Sequence, residues 1–275
     1  AACGNDTAET AQPAPATVDK PAATSTGQRA SSIAIPVLPD LPALSESRLA
    51  GEIETLASDE FEGRAPATAG GRKTVDWIEQ QFIEIGLQPA NGDSYRQAVP
   101  LVEITADPRR SSLAVSLPDG SDRTLGYGGE AVYWTKNVVD EISFADSDMV
   151  FVGYGIVAPE YGWNDYDGID ATGKTVVMLV NDPGFVLQDN ALFNGKAMTY
   201  YGRWTYKFEE AARQGAEAAI IIHQAAPAAY GWGVVEGSWT GPQLDLERPN
   251  PDYRAAMEAW ITEDVAKELF AAAGL

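Results

Sequence analysis

The stretch 175–222 restricts the fold of this chain more than any other. The unbroken apolar run Val176-Val177-Met178-Leu179-Val180, opened by Thr175, is the pattern of a buried strand, and Asn181-Asp182-Pro183-Gly184 breaks it. A helix is expected over 203–214, with Trp204, Phe208, Ala211 and Ala212 on one side and Gly215 at its end. Ala218-Ala219-Ile220-Ile221-Ile222 then reads as a second strand. Strand, crossover, helix and strand make a βαβ unit, whose strands should be parallel and whose connection right-handed.

Shorter elements surround that unit. Leu113-Ala114-Val115-Ser116-Leu117 alternates and is turned by Pro118-Asp119-Gly120-Ser121; 148–152 reads as a buried strand. A strand over 257–261 and a helix over 263–273, capped by Gly274, end the sequence. Before Pro100 the texture is helical. Leu49, Ile53 and Leu56 recur at helical spacing over 46–57, and Val75, Ile78, Phe82 and Ile85 do so over 71–85, with Gly86 as the cap. The fold class is therefore α+β: mixed strands with a βαβ unit and flanking helices. Two short helices without a sheet to lie on are marginal in water, so 46–86 should be the least protected ordered region.

Composition removes several classes of function. Nineteen basic against forty acidic residues leave a net charge of −21, which excludes nucleic acid as a partner because phosphate contacts need clustered Lys and Arg. Apolar runs are too short for a bilayer-spanning helix. One cysteine and one histidine exclude an internal disulfide, a Cys-based zinc site and any site needing two imidazoles. The sequence opens Ala1-Ala2-Cys3-Gly4, which resembles the end of a bacterial lipobox, where the cysteine becomes the lipidated terminus. Up to Arg29 the residues are mostly Ala, Thr, Pro, Ser, Gln and Gly, as in a disordered tether with a reach of roughly 25–30 Å. Acylation of Cys3 would supply a membrane contact through a lipid anchor only.

Chemical motifs are few. Gly153-Tyr154-Gly155-Ile156-Val157-Ala158 spells a dinucleotide fingerprint, but Pro159-Glu160-Tyr161-Gly162 starts no helix to receive a pyrophosphate. Asn164-Asp165-Tyr166-Asp167-Gly168-Ile169-Asp170 looks like the front of a calcium loop, yet Trp163 and Lys174 stand where its end ligands belong, so a polar turn is expected. His223, closing a strand, is expected as a hydrogen-bonded surface or rim residue. Gly237-Ser238-Trp239-Thr240-Gly241 has its serine in the wrong place for a nucleophile elbow. The run from Tyr200 to Lys207 stands out. Arg203 and Lys207 are four apart near a helix N-terminus, where cations oppose the macrodipole and call for a carboxylate partner from the chain or a substrate. Core packing of Trp204 and Phe208 is the other reading of the same run.

Several stretches taken together resemble the non-catalytic part of a bacterial zinc aminopeptidase with an inserted protease-associated (PA) domain. They are Leu56-Ala57-Ser58-Asp59-Glu60-Phe61-Glu62-Gly63-Arg64, the 151–159 strand and turn, Gly173-Lys174, 198–207, and the 209–216 helix running into 220–223. The family includes aminopeptidase Y and the glutamate carboxypeptidases, with transferrin receptor as an inactive relative. The resemblance implies a disordered lipoprotein tether over 1–30 and an incomplete two-helix segment of an α/β zinc-peptidase domain over 41–104. A PA-like domain over 105–275 follows.

It also implies two zinc ions in a complete enzyme, held by ligands and a general base that this sequence lacks. This chain is then expected to hold no cofactor, to have no catalytic or metal residues and to be inactive by itself. Its role would be to gate or bind a peptide or protein substrate, with Tyr201, Arg203, Trp204 and Lys207 as the rim, beside a missing C-terminal peptidase half. The alternative is a stand-alone, membrane-anchored PA-domain binding module. By resemblance to lipoprotein sorting, Gly4 after the cysteine points to the periplasmic face of the outer membrane.

Overall fold

A computed structural model describes residues 43–247 and 254–275. Cys3, the tether over 1–30 and residues 31–42 lie outside the described residues. The chain divides into two units, Ala1–Pro89 and Ala90–Leu275.

In the first unit, α1 (Glu46–Ala57) begins where Ser45 accepts the Arg48 amide, with Glu46 favourably placed in the first turn. A tight turn over Asp59–Arg64 buries Phe61. Then α2 (Ala69–Glu84) begins earlier than the apolar stripe predicts, because Thr68 caps it by accepting the Gly71 amide. Its first turn must be glycine. A Cβ on Gly70 would lie 2.1 Å from the Phe61 carbonyl oxygen, and one on Gly71 would lie 2.3 Å from that of Ala65. The far end closes as expected: Gly86 takes φ +79°, the Gly86 amide donates to Ile83 and that of Leu87 to Phe82. Helix α1 buries none of its residues, and Leu49 and Ile53 are more than half exposed.

The second unit is built on a five-stranded mixed sheet. Its strands run, in chain order, from β1 (Leu101–Ile104), β2 (Ala114–Ser116), β3 (Asp122–Thr124), β4 (Ala131–Trp134) and β5 (Met149–Phe151) to β6 (Val157–Ala158) and β7 (Trp163–Asn164). After them come β8 (Thr175–Leu179), α3 (Gly184–Leu187), α4 (Trp204–Arg213), β9 (Ala218–His223), α5 (Ala225–Ala228), α6 (Trp232–Trp239), β10 (Gln243–Leu246), β11 (Met257–Thr262) and α7 (Glu263–Ala272). The central order is β4-β11-β9-β8-β5. The expected βαβ unit is there: β8 and β9 are parallel neighbours in register, Val177 opposite Ile220, with α4 between them in sequence. Strand β11 adds in parallel beside β9, and β4 closes the far edge antiparallel.

Alternation along these strands makes two cores. Val176, Met178 and Ile221 pack with Phe208 and Ala211 of α4 and with Val235 and Trp239 of α6. Val177, Ile220, Ile222 and Ile261 pack with Val265 and Ala266 of α7. The result is helix, sheet, helix, a mixed α+β architecture.

Two expectations change. The strand at 148–152 is not buried, since Met149 is 39% and Phe151 42% exposed. The reason is position: β5 is the sheet's edge and only its Val150 face is packed by the α4 side. The 113–117 strand is shorter than its alternation, spanning Ala114–Ser116 and pairing only with β3 around the Gly120 turn. Strand β1, which the resemblance assigns to the first segment, pairs with β10 inside the second unit.

Candidate functional site

The chemistry-bearing residues gather where the loops after β5 and β8 meet the start of α4. After β5 the chain folds back through Gly153 (φ +59°) and Gly155 (φ +65°). A Cβ on Gly155 would come within 2.8 Å of Met178 Sδ, so glycine is required for the approach as well as for the backbone. This turn presents two amides to one carboxylate: Tyr154 N–H at 3.2 Å and Ile156 N–H at 3.0 Å both donate to Asp165 Oδ2. The glycine turn therefore cradles the chain's own aspartate, and a short 3₁₀ turn follows it where a nucleotide-binding helix would be needed.

Asp182, fully buried, is held in the same manner. It accepts from Gly184 N–H at 3.1 Å, from Thr199 N–H at 2.9 Å and from the Thr199 hydroxyl at 2.7 Å. Lys207 interacts electrostatically with both aspartates. It is fully buried, its ammonium donates to the Tyr154 carbonyl, and it sits 5.7 Å over the Tyr154 ring. Burial pulls its pKa down to about 7, against the attraction of Asp165 and Asp182. Burial likewise pushes the Asp165 carboxyl up, opposed by the Ile156 amide and by Lys207.

The four expected rim residues thus separate. Arg203, at the N-cap of α4, is exposed, and Trp204 is 36% exposed. Tyr201 is half-buried, its hydroxyl donating to Glu160 at 2.6 Å, a bond that first among causes pushes its pKa up to about 12. Lys207 departs from the rim altogether. The i, i+4 spacing does put it on the Arg203 side of the helix, but that side dives under the 153–156 and 181–199 loops. Sequence reasoning did not place Tyr200 in the rim, although it opens the run; Tyr200 is 60% exposed and edge-on to Tyr206 at 5.8 Å. Nor did it find the buried ion pairs Lys136–Glu258 at 3.2 Å and Arg254–Asp245 at 2.9 Å. Lys136 also sits 5.6 Å over the Trp204 ring. An isolated Glu at an alternating strand position was the available signal for Glu258.

His223 is buried, not a surface or rim residue. Its ring lies 5.4 Å from that of Tyr230, 5.8 Å from Trp232 and 6.2 Å from Trp260, and burial lowers its pKa. No hydroxyl nucleophile is hydrogen-bonded to it among the described residues, and Ser238 lies within α6. The 164–170 stretch is a polar turn: Asn164 accepts the Tyr166 amide and Asp170 accepts that of Thr172.

Among the described residues no group of three or more His, Cys, Asp or Glu is placed to hold a metal ion. A paired zinc site does not fit these residues. The histidine is walled in by aromatic rings, and buried Asp182 and half-buried Asp165 are occupied by backbone amides and interact with Lys207.

No protein-family model matches the chain, and a search of curated proteins returns no match. Among solved structures, the aminopeptidase from Aneurinibacillus sp. strain AM-1 is similar over 80% of this chain and 42% of that one, with 18% identity and a TM-score of 0.34. The chain therefore spans less than half the length of that protein.

Proposed function

We propose that this chain is the non-catalytic, PA-like portion of a zinc-dependent aminopeptidase and that it gates or binds peptide substrate. The two zinc ions and the hydrolysis belong to a C-terminal peptidase half outside this sequence. One observation carries the binding role: Arg203 is exposed between Tyr200 and Trp204 and makes no ion pair with the described residues. An exposed guanidinium without a carboxylate partner among the described residues, in a run that also exposes Tyr200 and part of Trp204, suits a peptide that offers a carboxylate beside an apolar side chain. Beneath it, buried Lys207 ties α4 to the turn after β5, and buried Asp182 holds Thr199, just ahead of the helix. In this reading the chain works at the bacterial cell envelope, carried on a lipid at Cys3.

The test is a calorimetric titration of the full chain with short peptides bearing an acidic or an amidated end. Carboxylate-bearing peptides should bind, and Arg203→Ala should weaken them at least tenfold with an unchanged melting profile. Equal affinity for the acidic and amidated peptides, or for wild type and variant, would remove the rim from the reading.

A further inference from the structure

On the sheet face opposite α4 lies an apolar groove of about 560 Å³. Its floor includes Val177, Ile220 and Ile261, α7 forms one wall with Leu269 and Phe270, and β2 and the 144–148 segment line it as well. Phe151 packs edge-on against Phe270, ring centroids 5.2 Å apart, yet Phe151 and Met149 both remain substantially exposed to the groove.

The same residues carry an open strand edge. Among the described residues strand β5 pairs with β8 alone: Asp148 accepts from Thr175 N–H and Val152 N–H donates to Val177. Strand periodicity then turns the N–H and C=O groups of Met149 and Phe151 toward the unpaired side. Strand β2, at the groove's border, is also paired on one side only among the described residues. Charge is one-sided as well. The lining contains the exposed carboxylates of Asp146 and Asp148 and no lysine, arginine or histidine.

We propose that the open edge of β5 and the groove beside it are a docking site for an extended segment of a partner protein, apolar at alternate positions and basic at its flank, which adds as a strand to β5. Each part of the recognition has its own source. Backbone groups of Met149 and Phe151 pair with the incoming strand, and alternate side chains drop into the groove beside theirs. Asp146 and Asp148 take the basic flank. The site lies on the other face of the sheet from the Arg203 rim and stands or falls independently of the peptidase reading.

Nitrogen-15 spectra of the full chain, titrated with a peptide of alternating Val and Thr ending in Lys at both ends, test the proposal. Shifts should centre on 149–151 and 269–270. The same peptide with Glu ends should bind at least tenfold more weakly, and Asp148→Lys should reverse that order. A version N-methylated at alternate residues should not bind, which tests strand addition without altering the protein. Equal binding of the three peptides to wild type, or shifts confined elsewhere, would overturn the site. So would broadening of the same resonances with protein concentration alone, since the groove would then be covered by a second copy.

Discussion

Lys207 donates its ammonium hydrogen to the carbonyl of Tyr154, so helix α4 is fastened to the turn that follows β5 by one buried hydrogen bond. The amide of that same Tyr154 is taken by Asp165, which leaves the turn bonded on both sides.

That lysine should leave a signature in stability against pH. Its folded pKa, near 7, lies below the unfolded value, so between about pH 7 and 10 the unfolded chain holds the extra proton. Stability attributable to Lys207 therefore rises with pH across that window, with a slope approaching ~1.4 kcal/mol per pH unit. Urea unfolding at pH 7, 8 and 9 should show this rise in wild type and a flatter profile in Lys207→Met. Parallel profiles would mean that the ammonium is solvated.

His223 should act in the opposite range. Burial among Tyr230, Trp232 and Trp260 keeps its folded pKa below the unfolded one, so protonation favours the unfolded state as pH falls through about 6.5. Protection factors over 225–239, corrected for the intrinsic pH dependence of amide exchange, should fall between pH 7.5 and 5.5 in wild type, and much less in His223→Phe. An identical acid response in the two proteins would assign the effect to carboxylates.

Two glycine substitutions in the first unit should have opposite signs. Gly70→Ala drives a Cβ into the Phe61 carbonyl and should destabilise the turn–α2 contact by ~3 kcal/mol. Gly51→Ala, inside α1 with nothing within 4 Å, should stabilise that helix by ~0.5–1 kcal/mol. Exchange rates over 46–84 report both, and a loss of protection in Gly51→Ala would show that α1 bends there.

Protection should also differ between the units. Helix α1 buries no side chain, whereas every residue of β9 is buried. Hydrogen exchange in the monomer should find 46–86 the least protected ordered region and 175–222 the slowest. Equal protection would give α1 and α2 a packing partner that their own unit lacks.

What was legible in the sequence was local. The bounds of α1 are as its spacing predicts, because Ser45 and a helical apolar period act within a few residues of one another. Strands β8 and β9 were readable for the same reason, being continuous apolar runs with a helix between breakers. The Gly86 cap and the polar turn at 164–170 also rest on neighbouring residues alone. Tertiary structure decided what depends on partners far along the chain. Strand β4 is buried throughout because β11, more than a hundred residues later, pairs with it. Strand β5 is half open because no further strand among the described residues follows it in the sheet. The candidate site shows the same division. Spacing placed Arg203 and Lys207 on one side of α4, but burial depends on which loops close over a side chain. The 153–156 and 181–199 loops cover Lys207 and leave Arg203 in water, a choice made by long-range packing that helical periodicity does not encode.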